Sequence, residues 1–225
     1  MLVWLDDIRL NAVVEGPEDA PPVVFVHALG RDLTLWDAVM PHLPPLRSLR
    51  FDLRGHGRSD APPAPYTMGA LIRDAERLID HFALRGAVVV GVDVGGMVAQ
   101  GLAVKRLDLV RGLVLCGTAT RIATMAAGGQ PLATTDPQGW MGVAAAMAGS
   151  DFYATTATLT LPTLVLAGSE DATTPPDMLR ELAGLIRGSA FQLMRGAGHL
   201  PPLDQPQAFA AALTGFLRRI GHVTG

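Results

Sequence analysis

Four short stretches of the chain carry residue types that do chemistry. The first is Val88–Gly96, VVVGVDVGG, where a strand-forming run enters Gly91-Val92-Asp93-Val94-Gly95 and a helical pattern follows. Small residues on both sides of a central polar one permit a sharp strand-to-helix turn that lifts its side chain clear of the backbone. The second is Val24–Gly30, VFVHALG, a strand running into a loop. The third, Leu164–Pro175, LVLAGSEDATTP, places Asp171 in a turn at a strand's C-terminal end, with Glu170 beside it as a rival. The fourth, Leu193–Pro202, LMRGAGHLPP, sets His199 in a loop rich in glycine and proline. Of the six histidines, only His199 combines a strand end with a glycine-rich lead-in.

Together these residues read as Asp93, Asp171 and His199: a reacting group, an orienting acid and a base. A loop such as Ala28-Leu29-Gly30 supplies a backbone N–H to an oxyanion, paired with the N–H just after the reacting residue. That nominates Leu29 and Val94 through their backbones. His27 reads as a loop histidine that holds backbone polar groups. A carboxylate at position 93 needs no base to make it nucleophilic, but attack on an ester would give an anhydride while expelling an alkoxide, which is uphill. The group suits a saturated carbon bearing a leaving group, giving an alkyl ester that His199 and water then hydrolyse. A general-base role for Asp93 also stays open, as does an inactive or engineered chain that only binds a small molecule. Trp36 and Trp140 are candidates to line the substrate site. Tyr153 is a candidate proton donor there, with a packing aromatic as the alternative.

The elements that must position these groups are legible as well. Short apolar runs at Val23–Val26, Leu46–Phe51, Ala87–Val90, Leu109–Leu115, Thr163–Ala167 and Ala190–Leu193 predict buried strands of a mainly parallel sheet. Val3–Leu5 and Arg9–Val14 predict an edge hairpin. Helical periodicity spans Met68–Phe82, with Thr67 as N-cap, and also Gly95–Arg106, Pro176–Ile186 and Gln205–Ile220. Strands alternating with helices give an α/β fold. The expected organisation is one core in two parts, 1–120 and 159–225, interrupted by a cap insertion at 121–158 with a short helical pattern at Trp140–Met147.

Composition narrows the function classes. The chain has 225 residues, 49% hydrophobic and 17% charged, which excludes a disordered tail protein. One cysteine, Cys116, cannot make a disulfide scaffold. A net charge of −3 without a basic block argues against nucleic acid. No apolar run approaches the roughly 18 residues of a membrane span. The N-terminal MLVWLDDIRL has no export-signal pattern, so a cytoplasmic location is expected.

With HALGRDLTLWD, LRFDLRGHGRSDAP, GGMVAQGLAVKR, LPTLVLAGSEDATTPP and GAGHLPPLDQP, the sequence resembles the α/β-hydrolase superfamily, and within it the 3-oxoadipate enol-lactonase group. The chain order Asp93, Asp171, His199 matches that superfamily's nucleophile, acid and base. The resemblance implies an eight-stranded, mostly parallel sheet flanked by helices, a triad, no metal and no organic cofactor. It covers residues 1–120 and 155–220. Two departures stand out. The lactonases carry a GLSMGG-like elbow with serine where this chain has GVDVGG, and they carry a longer helical lid, so a reduced cap is expected here. The aspartate is similar to that of haloalkane dehalogenases and epoxide hydrolases. The expected partners are a small-molecule substrate and, where a short lid uncovers apolar surface, a second copy of the chain.

Overall fold

A computed structural model describes residues 1–122 and 131–224. Its strands are β1 (Leu2–Leu5), β2 (Ile8–Glu15), β3 (Pro22–Val26), β4 (Arg47–Phe51), β5 (Ala87–Val92), β6 (Val110–Cys116), β7 (Thr163–Gly168) and β8 (Ala190–Met194). They form one eight-stranded sheet in the order β1-β2-β4-β3-β5-β6-β7-β8. β1 and β2 are antiparallel, β2 runs antiparallel to β4, and every other neighbouring pair is parallel. The sequence predicts each of these strands to within a few residues; β8, expected to be buried, instead exposes Gln192 and Leu193 because it is an edge strand of the sheet.

The same runs explain the two cores. Successive strand residues point to opposite faces. Val24, Val26, Val89, Leu113, Leu115 and Val165 therefore face one core, while Val23, Phe25, Val88, Val90, Val114 and Leu166 face the other. Helices α1 (Met68–His81), α2 (Val94–Lys105) and α5 (Pro176–Leu185) cover the first face. α7 (Pro206–Arg219) and the 3-10 turn Leu33–Trp36 cover the second. Thr67 caps α1 by accepting the Ala70 N–H at 3.2 Å.

Between β6 and β7 the described residues hold α3 (Pro137–Ala148) and the short α4 (Tyr153–Thr156). Residues 123–130 of the expected cap lie outside the described residues. The cap's start is tied to the strand ends: the Leu132 N–H donates to the Gly30 carbonyl at 2.9 Å, and the Asp136 N–H to the Gly55 carbonyl at 3.1 Å. Its end is tied to α2, where Thr156 Oγ1 donates to Gln100 Oε1 at 2.8 Å in a fully buried contact. A short α6 (Pro201–Asp204) leads from the His199 loop into α7. Near the C-terminus, His222 Nε2 donates to the Pro22 carbonyl at 2.9 Å and ties the chain end to β3. No helix among the described residues is long and apolar enough to cross a membrane.

Candidate active site

The parallel strands β3 and β5 are neighbours, with Val26 opposite Gly91, so the loops leaving their C-terminal ends meet. Asp93 sits between β5 and α2 with φ 55° and ψ −119°, a conformation that strains any residue with a Cβ. Gly95 makes the turn possible: a Cβ there would lie 2.1 Å from the Val26 carbonyl oxygen. Thr118 Oγ1 donates to the Asp93 carbonyl at 2.7 Å and helps hold the turn.

The strained turn delivers the carboxylate to a backbone donor: the Leu29 N–H donates to Asp93 Oδ2 at 3.0 Å. The adjacent Val94 N–H also acts to lower the carboxyl pKa. The other oxygen, Oδ1, faces His199 Nε2 at 3.9 Å. Burial raises the Asp93 pKa above the ordinary carboxylate value, opposed by the His199 charge and by the Leu29 and Val94 N–H groups.

β7 and β8 are adjacent, and the loops after them carry Asp171 and His199. His199 must cross the end of β6 to reach Asp93. Gly117, at φ 50°, makes room, since a Cβ there would stand 2.7 Å from the His199 carbonyl oxygen. His199 Nδ1 bonds Asp171 Oδ2 at 2.9 Å. Asp171 Oδ1 accepts the Thr173 and Thr174 N–H groups at 2.8 and 2.9 Å, and Thr174 Oγ1 donates to Oδ2 at 2.7 Å. Burial acts to raise the Asp171 pKa, but the His199 and Thr174 bonds outweigh it and hold the pKa below the usual range. For His199, burial disfavours the charged ring, yet the Asp171 bond and the two carboxylates prevail and raise its pKa. His199 Nε2 is buried without a hydrogen-bond partner, so its free position faces the Asp93 carboxylate. Glu170 is exposed and takes no part.

The structure thus brings together Asp93, Asp171, His199 and the Leu29 and Val94 N–H groups. It does not bring the aromatic candidates together there. Trp36 is a correction: it is fully buried in the second core, 5.1 Å from the Phe25 ring and 5.9 Å from Phe209, and an indole packed between them lines no substrate site. Tyr153 is 40% exposed, under the Arg121 guanidinium and beside Met178 and Glu181, and touches none of the triad. Trp140 is half-buried on α3 and packs over Gly30, next to the Leu29 donor. Thr118 and Thr174 are site residues that the sequence reading missed. The signal for Thr174 was present, as a hydroxyl three residues after an acid in a turn. Among the described residues, no group of three or more His, Cys, Asp or Glu is placed to hold a metal ion.

Comparisons with known proteins agree with this fold. Residues 21–147 match the family model described as alpha/beta hydrolase fold. The 3-oxoadipate enol-lactonase 2 of Acinetobacter baylyi is 25% identical over 253 aligned positions, covering 95% of this chain and 94% of the relative. The crystal structure of an enol-lactonase from Burkholderia xenovorans superposes with a TM-score of 0.90 at 25% identity, covering 97% of this chain and 100% of that one. A thermophilic esterase from Thermogutta terrifontis superposes at 0.88 with 29% identity, covering 96% and 95%. With a matching family model over more than half its length, eight strands in the family's arrangement and full-length likeness to these enzymes, the chain belongs to the α/β-hydrolase fold family, as a hydrolase similar to the enol-lactonases.

Proposed function

We propose that the chain is a cofactor-independent hydrolase of small organic molecules in which the Asp93 carboxylate attacks an electrophilic saturated carbon. His199, oriented by Asp171, then activates the water that frees the enzyme. One observation carries this reading: the Leu29 N–H donates to Asp93 Oδ2 at 3.0 Å. With a serine nucleophile such donors stay free for a substrate's carbonyl oxygen. Here the reacting group's own second oxygen takes the donor. Attack at saturated carbon needs no oxyanion site on the substrate, so it is compatible with a hole already filled.

In the first step Asp93 Oδ1 forms a C–O bond while the leaving group departs with the electron pair of the broken bond. Tyr66 donates its hydroxyl to the Pro62 carbonyl, and Tyr153 faces outward. Neither is placed to protonate a leaving oxygen, which favours a group that leaves as a stable anion, such as halide, over an epoxide. The resulting alkyl ester removes the Asp93 charge. His199 then loses one of the groups that raise its pKa and becomes a stronger candidate for a neutral base. It takes a proton from water as the water oxygen attacks Cγ of Asp93. The Leu29 and Val94 N–H groups stabilise the oxyanion on Oδ2, and the alcohol leaves with the original Oδ1 and the proton from His199.

Full-length likeness to enol-lactonases supports a second reading, in which an ester or enol-lactone is hydrolysed with Asp93 as general base. A single turnover in ¹⁸O-water separates the two. Under the first reading the first-turnover product is unlabelled and the label enters the Asp93 carboxylate. Label in the first-turnover product overturns it in favour of the second. In His199→Ala the alkyl ester is expected to persist as a mass increment on the Asp93 peptide after exposure to haloalkane and epoxide panels.

A further inference from the structure

The bond that carries the proposed function ends on the Leu29 N–H, so whatever fixes residues 27–30 fixes that bond. Two histidines outside the triad do this reciprocally. His27, after β3, accepts the Leu53 N–H on Nε2 at 2.9 Å; Leu53 lies in the loop after β4. His56, in that second loop, accepts the Gly30 N–H on Nε2 at 3.0 Å. An Nε2 that accepts from an N–H carries no proton, so the proton of each ring sits on Nδ1. Nδ1 of His27 donates to the Ala28 carbonyl at 2.7 Å, and that of His56 to the Arg54 carbonyl at 3.1 Å. The rings stand 5.4 Å apart and both are buried.

The brace is anchored at its far end. Arg54 grips Asp74 of α1 with two bonds, 2.7 and 2.8 Å, and Asp74 is buried. A continuous chain therefore runs from α1 through Asp74, Arg54 and His56 to Gly30, the residue beside the Leu29 donor. Burial, with the neighbouring His27 as a further cause for His56, lowers both pKa values to about 4, which keeps the accepting lone pairs available. We propose that His56 is a positioning residue for the reaction at Asp93: by holding the Gly30 N–H, with His27 bracing Leu53 in return, it aims the Leu29 N–H at the Asp93 carboxylate. The proposal rests on the reading of Asp93 as the reacting carboxylate.

Nuclear magnetic resonance on the full chain tests it without a substrate. In the wild type, ring ¹⁵N shifts are expected to place the His56 proton on Nδ1; a proton on Nε2 overturns the proposal, whether or not any variant folds. In His56→Leu the Leu29 amide proton is expected to move upfield and the Asp93 pKa to rise further, because the carboxylate loses a donor. In His56→Gln, whose side-chain oxygen can accept the same N–H, both are expected to return toward wild type. A folded His56→Leu with an unchanged Leu29 amide and an unchanged Asp93 pKa overturns the proposal, since a merely structural role would move neither. In a His199→Ala background, alkylation of Asp93 is expected to slow about tenfold or more on His56→Leu. If no adduct forms even with His56 intact, the nucleophile reading fails, and the resonance measurements still decide the role of His56.

Discussion

In the proposed reaction Asp93 is the central residue, and its one carboxylate makes two contacts. Oδ2 sits on the Leu29 N–H while Oδ1 faces His199. The pKa directions divide the reaction in pH. Burial raises the Asp93 pKa, so ester formation is expected to lose rate on acidification as that carboxylate protonates. Ester breakdown needs neutral His199. In the ester the Asp93 charge is gone, but the Asp171 bond and charge still act to raise the His199 pKa against the burial that opposes the charged ring. Breakdown is therefore also expected to slow on acidification. Rapid-quench measurement of adduct formation and decay across the acid and neutral range checks this; a breakdown rate that climbs as pH falls would contradict it. At this scale His199 and Asp171, nominated from loop composition, meet at 2.9 Å. Trp36 lies away from them, because an indole that lines a pocket and one that fills a core look alike in sequence. What separates them is the Phe25–Trp36–Phe209 stack, made by groups distant along the chain.

The elements matter through their ends. β3 and α2 touch so closely at Val26 and Gly95 that any side chain at 95 must push them apart. Gly95→Ala is expected to cost about 1–3 kcal/mol through overpacking. It is also expected to slow Asp93 alkylation in the protein that remains folded, since the displaced strand end carries the Leu29 donor. Gly215, in the middle of α7, is the contrast. Nothing lies within 4 Å of a Cβ there, so Gly215→Ala is expected to stabilise by about 1 kcal/mol with alkylation unchanged. Urea melts with parallel adduct kinetics measure both; equal behaviour of the two variants would refute the argument. The strand runs and the elbow glycines were legible because they are local. The His27–Leu53 and His56–Gly30 bonds were not, since each joins positions 26 residues apart and depends on β3 and β4 lying side by side.

At the scale of the whole molecule, two cores clamp the sheet, and the lone cysteine reports on the second. Cys116 ends β6, is fully buried, and has its thiol pKa pushed up by burial first and then by the Asp171 and Asp204 charges. It is expected to resist thiol reagents in the native protein and to label only as fast as the chain opens. Labelling rate against urea, compared with loss of ellipticity, checks this; rapid labelling of the native state would show that the core around β6 opens on its own. The α/β alternation and most strand and helix positions are legible in the sequence, which also nominates Asp93, Asp171 and His199 as candidates for the site. Periodicity, glycine spacing and turn chemistry are properties of neighbouring residues. The folded chain adds that the nominated Leu29 N–H donates to Asp93 itself, that Trp36 is core, and that two buried histidines brace the loops. Those facts depend on which strand ends lie side by side, which no local pattern encodes.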